Sequence, residues 1–241
     1  MSIFARGDTS IHYEEYGQGS PILLIAPGGM KSSMGAWSMA PWNPIDVLKN
    51  SFRVIAMDQR NAGRSTGTIH EEDGWHTYTN DQLALMDYLG IDSFMVAGMC
   101  IGGPYIFGLL KKAEDRVDAC VVFQSIGRDN NRDEFYSMFD TWAADIKASR
   151  TDINEGNLNG FRENMFGDDK KLFSVEDDFL MQCNTPMCIL MGSDLYHPES
   201  TSRFISQQVR ESVFIEHWKN GADVDTAKSQ VIDFLSSCAV E

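Results

Sequence analysis

The sequence predicts an α/β protein built on a mostly parallel sheet. Short runs rich in β-branched residues alternate with segments of helical spacing along all 241 residues, a pattern typical of strand–helix–strand units. The continuous apolar run at residues 21–26 indicates a strand buried on both faces. The chain is 43% hydrophobic, enough for a large core, and neither a repeat nor a Pro/Gly-rich linker divides it. We therefore expect a single domain over residues 1–241.

The predicted strands follow one another in a simple order. The first alternates apolar and polar side chains, as an edge strand does, and the others are mostly apolar. The strands are expected at residues 10–16, 21–26, 52–57, 94–97, 117–125, 187–191 and 212–216. Helical spacing predicts a helix over 78–89 that stops at Gly90, a plausible C-terminal cap. A second helix, from about 225 to 236, closes the chain.

Residues 96–103 (Val-Ala-Gly-Met-Cys-Ile-Gly-Gly) combine a strand, a sharp turn and a helix start around Cys100. Glycines lie two residues before and two after the cysteine, where a Cβ would crowd the strand or the helix. Such a turn exposes the central side chain above the sheet, and the next amide, that of Ile101, points at it. Because a helix N-terminus lowers a thiol pKa and stabilises an oxyanion, Cys100 is the predicted nucleophile. The alternative is a buried structural cysteine.

With this order of elements, the chain resembles the α/β-hydrolase superfamily over essentially its full length. Residues 27–30 (Pro-Gly-Gly-Met) occupy the place of the family's oxyanion loop, with Pro27 instead of the usual His. Residues 58–65 resemble its Asp-x-Arg-Gly-x-Gly-x-Ser turn, with Asn61 in place of the first glycine; Asn tolerates a positive φ. Asp194 follows a late strand, where the triad acid usually lies. The resemblance implies the α/β-hydrolase fold, with helices on both faces of the sheet.

The resemblance also implies what surrounds the site. The amide of Gly29 or Met30 would hold the oxyanion together with that of Ile101. A helical lid insertion is expected at about 128–184, over the carboxyl ends of the strands. The pocket beneath it is expected to be lined by aromatic side chains, namely Trp37, Trp42, Phe135 and Phe139. The alternative for the apolar stripe of the insertion is ordinary packing of a helix on the body.

The general base is left open between two histidines. Relatives carry the basic histidine in the loop after the last strand. In one alignment of that loop, the segment Gly221-Ala222-Asp223 puts an aspartate at the position of the histidine. A shifted alignment brings in His217, in a His-Trp dipeptide, oriented by Asp194. The second candidate is His197, three residues beyond Asp194, because its loop also lies at the carboxyl edge of the sheet. A thiol, whose ordinary pKa is about 8.5, depends less on such a base than a hydroxyl does.

These features predict an enzyme that cleaves an ester, lactone or thioester through a covalent acyl-enzyme at Cys100. Thiolates attack activated acyl carbons well and unactivated amides poorly. The expected substrate is small and apolar or aromatic, and neither a cofactor nor a metal is predicted. Two alternatives stay open: a catalytically degenerate protein of the same fold that binds a small ligand, and an acyltransferase that uses the same cysteine.

Charge and cysteine usage exclude several other classes. A formal net charge of −15 and a pI near 4.6 disfavour nucleic acid and anionic membranes as partners. No signal peptide or membrane-spanning run is recognised. Five cysteines, an odd number without metal-ligand spacing, indicate free thiols and a cytoplasmic location. The oligomeric state is left open, with a homo-oligomer among the options.

Overall fold

One eight-stranded sheet forms the centre of the computed structural model, which describes residues 2–239. In chain order the strands are β1 (Ser2–Arg6), β2 (Thr9–Tyr16), β3 (Pro21–Ile25), β4 (Arg53–Met57), β5 (Phe94–Met99), β6 (Val117–Phe123), β7 (Met187–Leu190) and β8 (Ser212–Ile215). Their order across the sheet is β1-β2-β4-β3-β5-β6-β7-β8. The pairs β1–β2 and β2–β4 are antiparallel, and the other neighbours are parallel. The predicted mostly parallel sheet is confirmed.

Helices cover both faces of the sheet, as predicted. Within residues 2–239 they are α1 (Pro44–Leu48), α2 (Trp75–Tyr88), α3 (Gly102–Ala113), α4 (Arg132–Ser149), α5 (Glu155–Phe166), α6 (Glu199–Gln208) and α7 (Ala222–Cys238). Successive strand residues point to opposite faces, so Leu23 and Val96 belong to the core that packs against α2, α3 and α6. Leu24 and Ala97 belong to a second core, which packs against α1 and α7. No helix in this described part is both long and apolar enough to cross a membrane.

Three elements of the structure were not predicted from the sequence. β1 and α1 are five residues each, too short to show a clear period, and α6 is mostly polar, so none of them contains a long apolar run. The predicted strand at 117–125 ends earlier, at Phe123, because Gln124 adopts a φ of 36° and turns the chain away from the sheet. Asn61 has a φ of 59°, as expected for the residue that replaces a glycine.

The segment between β6 and β7 forms helices, as the sequence predicts for residues 128–184. α4 and α5 lie there and pack against each other, and α4 also contacts the 3-10 turn at Gly29–Lys31, which follows β3. Both β3 and β6 run parallel to β5, so the insertion lies over the carboxyl ends of the central strands. Its action as a lid stays a prediction.

Candidate active site

Cys100 lies at the junction of β5 and α3 in a left-handed backbone conformation. Its φ of 62° confirms the predicted departure from helix and strand geometry. The Cys100 amide donates a hydrogen bond to the Phe123 carbonyl (3.1 Å). The Cys100 carbonyl accepts hydrogen bonds from the amides of Gly103 and Ile126, both at 3.1 Å. The backbone of the junction is therefore held from three directions.

The glycines around this junction are required by close packing. A Cβ on Gly98 would lie 2.9 Å from the Gly102 carbonyl oxygen, and one on Gly102 would lie 3.0 Å from the Ile25 carbonyl oxygen. Both distances are shorter than ordinary carbon–oxygen contacts, so any larger residue would force β3, β5 and α3 apart.

Asp194 and His197 form an acid–base pair within one tight turn after β7. The His197 Nδ1–H donates to both Asp194 carboxylate oxygens, at 2.7 and 2.8 Å. The backbone amides of Tyr196 and His197 also donate to Asp194 Oδ1, each at 3.0 Å. A Cβ on Gly192 would overlap the His197 carbonyl oxygen, so the turn closes only because residue 192 is glycine. These bonds fix both the carboxylate and the imidazole ring.

The other nitrogen of His197 is buried beside the thiol of Cys100. The His197 side chain is 13% exposed, and its Nε2 makes no hydrogen bond of ordinary geometry within residues 2–239. Burial opposes ionisation of Cys100, but His197 and the amides of Gly28 and Ile101 outweigh it and lower the thiol pKa. Burial opposes protonation of His197, but Cys100 and Asp194 outweigh it and raise the imidazole pKa. Both shifts favour a thiolate beside an imidazolium.

Asp194 remains a carboxylate under the same influences. Burial raises its pKa, but the hydrogen bond and the charge of His197 and the two backbone amides lower it by more, so the net shift is downward. Its side chain is 50% exposed, so solvent still screens the pair. The Lys219 ammonium, whose pKa is lowered by burial, donates to Ser193 Oγ at 3.2 Å, next to Asp194 in the chain.

The predicted hydrogen bond between His217 and Asp194 is wrong. His217 is exposed after β8 and makes no hydrogen bond or ion pair with any residue from 2 to 239. Its neighbour Trp218 takes the inward place: it is 1% exposed, and its indole N–H donates to the Met191 carbonyl at 2.8 Å. Since adjacent residues in extended chain point to opposite sides, burying Trp218 turns His217 to solvent.

Two backbone amides approach the Cys100 sulfur. One is that of Ile101, as the sequence predicted, and the other belongs to Gly28, which the sequence analysis did not single out. Gly28 and Gly29 both have positive φ (118° and 57°), and Gly29 and Met30 begin a 3-10 turn. The first amides of such a turn lack partners within it. Because Gly28 and Gly29 are successive glycines, the sequence does not indicate which of their amides approaches the sulfur.

The four aromatic residues predicted to line one pocket fall into two groups. Phe135 and Phe139 belong to the same core as Met30 and both pack on other rings of the insertion. Trp37 and Trp42 belong to the core on the opposite face, where both pack edge-on against Phe123. The pocket expected to be lined by all four stays a prediction. Cys100 lies between the groups and contacts both cores.

Known proteins share this arrangement of elements. Residues 21–225 match the family model described as alpha/beta hydrolase fold. The 2-hydroxy-6-oxo-6-(2'-aminophenyl)hexa-2,4-dienoic acid hydrolase of Metapseudomonas resinovorans is 32% identical over 124 residues, 50% of this chain and 41% of that protein. A non-heme haloperoxidase of Rhodococcus erythropolis is 23% identical over 98% of this chain and 99% of its own. The chain spans less than half the length of the first curated relatives that it matches.

Solved structures extend the likeness to the whole chain. A variant of the meta-cleavage product hydrolase CumD superposes with a TM-score of 0.72 at 17% identity, covering 98% of each chain. The enol-lactonase of Burkholderia xenovorans LB400 gives a TM-score of 0.69 at 19% identity, covering 98% of this chain and 100% of that one. At such identities the likeness concerns the fold alone.

Proposed function

The chain belongs to the α/β-hydrolase family, and we propose that it hydrolyses a small ester, lactone or thioester through a covalent acyl-enzyme at Cys100. The observation that carries the proposal is the Cys100–His197–Asp194 arrangement, in which a thiol of lowered pKa lies beside an imidazole oriented by a carboxylate. Nucleophile, base and orienting acid in that order are the requirements for acyl transfer.

The first half of the reaction acylates the thiol. The Cys100 thiolate attacks the carbonyl carbon, and the oxygen takes up the negative charge as a tetrahedral intermediate forms. The Ile101 amide and an amide of the 28–30 segment donate hydrogen bonds to this oxyanion. The bond to the leaving alkoxide or thiolate then breaks, and His197 Nε2–H protonates the leaving group.

The second half restores the enzyme. Neutral His197 Nε2 removes a proton from water as the water oxygen attacks the thioester carbon. The carbon–sulfur bond then breaks, so the carboxylic acid leaves, the sulfur departs as thiolate and His197 ends protonated. Asp194 stays ionised throughout and stabilises the imidazolium through Nδ1. Cys100 packs against apolar side chains of both cores, which favours a substrate that is apolar or aromatic.

The test compares two cysteines of similar accessibility. Hydrolysis of short-chain nitrophenyl esters and aryl thioesters should fall about 1000-fold or more in Cys100→Ala, since triad nucleophiles contribute at least that much. Cys238→Ala is the matched control, because Cys238 is also half-buried but lies in α7. Equal rates in wild type and Cys100→Ala would refute the nucleophile.

The same assay separates the alternative functions. Transfer of the acyl group to an added alcohol or thiol faster than to water would favour an acyltransferase. Binding of the ester with neither turnover nor acylation of Cys100, measured by intact-protein mass spectrometry, would favour a catalytically degenerate binding protein.

A further inference from the structure

Helix α4 contacts three loops at the carboxyl edge of the sheet with one of its faces. The Phe135 ring packs edge-on against Tyr196 of the acid–base turn, with centroids 5.8 Å apart. The Met138 side chain fills the space beside Gly29. The Trp142 indole N–H donates to the carbonyl of Asn61 at 3.4 Å. Steps of three and four residues keep these side chains on one face of the helix.

Asn131, the residue just before α4, makes the hydrogen bond that joins this helix to the acid–base turn. Its side-chain Nδ2 donates to the Leu195 carbonyl at 2.8 Å and to the Gly127 carbonyl at 3.0 Å. Its Oδ1 accepts from the Asp129 amide at 2.9 Å. Asn131 is only 3% exposed. With both N–H groups and the oxygen engaged, the amide has one orientation, since a flip would set its oxygen against two carbonyls.

Leu195 is the point where the turn most needs an external anchor. This residue is 56% exposed, so its side chain contributes little packing. The bonds within the turn run from the amides of Asp194, Tyr196 and His197 to the Asp194 carboxylate and the His197 carbonyl. These bonds fix the shape of the turn, but they do not fix its position relative to the rest of the protein. The Asn131 bond ties the peptide between Leu195 and Tyr196 to a buried group 64 positions away.

We propose that Asn131 is a positioning residue, whose bond to the Leu195 carbonyl holds the acid–base turn so that His197 Nε2 faces the Cys100 sulfur. The effect on Cys100 passes entirely through His197. Because His197 lowers the thiol pKa, a displaced turn leaves only the amides of Gly28 and Ile101 to oppose burial, and the thiol pKa rises. This inference rests on the proposed function only for its kinetic consequence.

The decisive variant is Asn131→Asp, which keeps the acceptor for Asp129 and removes both N–H donors. Asn164→Asp is the control for the loss of two N–H donors: Asn164, which is exposed, also uses Nδ2 to join the insertion to two carbonyls, those of Glu71 and Asp73, both at 3.0 Å. Neither of those carbonyls lies in a loop that approaches Cys100.

The measurement is the pH dependence of alkylation of Cys100 by iodoacetamide, followed on the Cys100 peptide by mass spectrometry. In Asn131→Asp the midpoint should move towards higher pH, and alkylation at pH 7 should slow about tenfold for every pH unit by which the midpoint rises. Asn164→Asp should keep the wild-type midpoint. An unchanged midpoint in Asn131→Asp, or an equal rise in both variants, overturns the proposal.

Two further measurements keep the outcome interpretable. If Asn131→Asp fails to fold by circular dichroism, Asn131→Ser replaces it, since a serine hydroxyl has one donor for the two carbonyls. In a folded variant, kcat for the ester should fall while KM holds. Absence of ester turnover in the wild type would refute the proposed function alone, because the alkylation midpoints of wild type and variant still test the role of Asn131.

Discussion

The loops after β7 and β8 both begin at the carboxyl edge of the sheet and both carry a histidine. Only the histidine of the β7 loop is largely buried and bonded to a carboxylate. In the β7 loop, His197 is nearly buried and bonded to Asp194 through two short hydrogen bonds. In the β8 loop, His217 is exposed, and the buried member of its pair is Trp218. A histidine becomes a candidate base through its burial and its hydrogen bond to a carboxylate. A position just after a strand is not sufficient.

The proposed base and the proposed acid lie in the same loop. Asp194 and His197 are separated by two residues, so the carboxylate orients the imidazole within one turn of chain. A base after β8 would have to reach Asp194 from a separate loop. There, Lys219 supplies a positive charge near Asp194 instead of an imidazole.

The largest expected effect separates the two histidines directly. His197→Gln should reduce ester hydrolysis by about 100-fold or more, the usual contribution of a general base. His217→Gln is the matched control and should retain the wild-type rate, since the ring contacts no site residue. A comparable loss in both variants would contradict the contrast between the loops.

A second test uses the pH dependence of Cys100. Because the pKa of the folded thiol is lowered, alkylation should stay fast as pH falls through the ordinary thiol pKa of about 8.5 and decline only through the lowered one. In His197→Gln only the amides of Gly28 and Ile101 still oppose the burial of the thiol. The midpoint should therefore rise, with about a tenfold loss of thiolate at neutral pH for every pH unit of that rise. Identical titrations for the two proteins would show that His197 does not act on the thiol.

A smaller effect is expected at the carboxylate. Asp194→Asn keeps a hydrogen-bond acceptor for Nδ1–H but removes the charge that helps to raise the His197 pKa. The imidazole pKa, followed by NMR titration of the ring protons, should fall, because an opposite charge nearby favours the protonated ring. Hydrolysis should fall less than in His197→Gln. An unchanged imidazole pKa would exclude Asp194 as the orienting acid.

The smallest effect concerns the charge from the β8 loop. Lys219→Met preserves the packing of the stem and removes a partly exposed ammonium, so unfolding free energy should change by less than about 1 kcal/mol. Thermal melting and ester hydrolysis measure the two consequences together. A loss of activity as large as that of Asp194→Asn would mean that the β8 loop takes part in the chemistry.

The sequence predicted the parts of the site that local geometry dictates. A glycine two residues either side of Cys100 and the amide of Ile101 follow from one tight strand-to-helix turn. The same holds for Asp194 after a late strand. The choice between His197 and His217 could not be predicted, because it depends on which neighbour of His217 is buried against a distant core.

Contacts across the insertion were equally hidden. Asn131 and Leu195 are separated by 64 positions and belong to segments with no shared periodicity. The division of Trp42 and Phe135 between opposite faces depends on where β6 and the preceding loops leave the sheet. A single sequence does not show which residues far apart in the chain are in contact.

Placing acid and base in one turn shortens the stretch of chain that holds the proposed chemistry. Every residue proposed to act on the substrate precedes α6, so the loop after β8 and α7 contribute packing, through Trp218 and through Val231 and Leu235 respectively. Substitutions of these buried residues are therefore expected to lower the stability of the fold first. Linkers or tags introduced after α6 have to spare these buried residues, although none of them is proposed to touch the substrate.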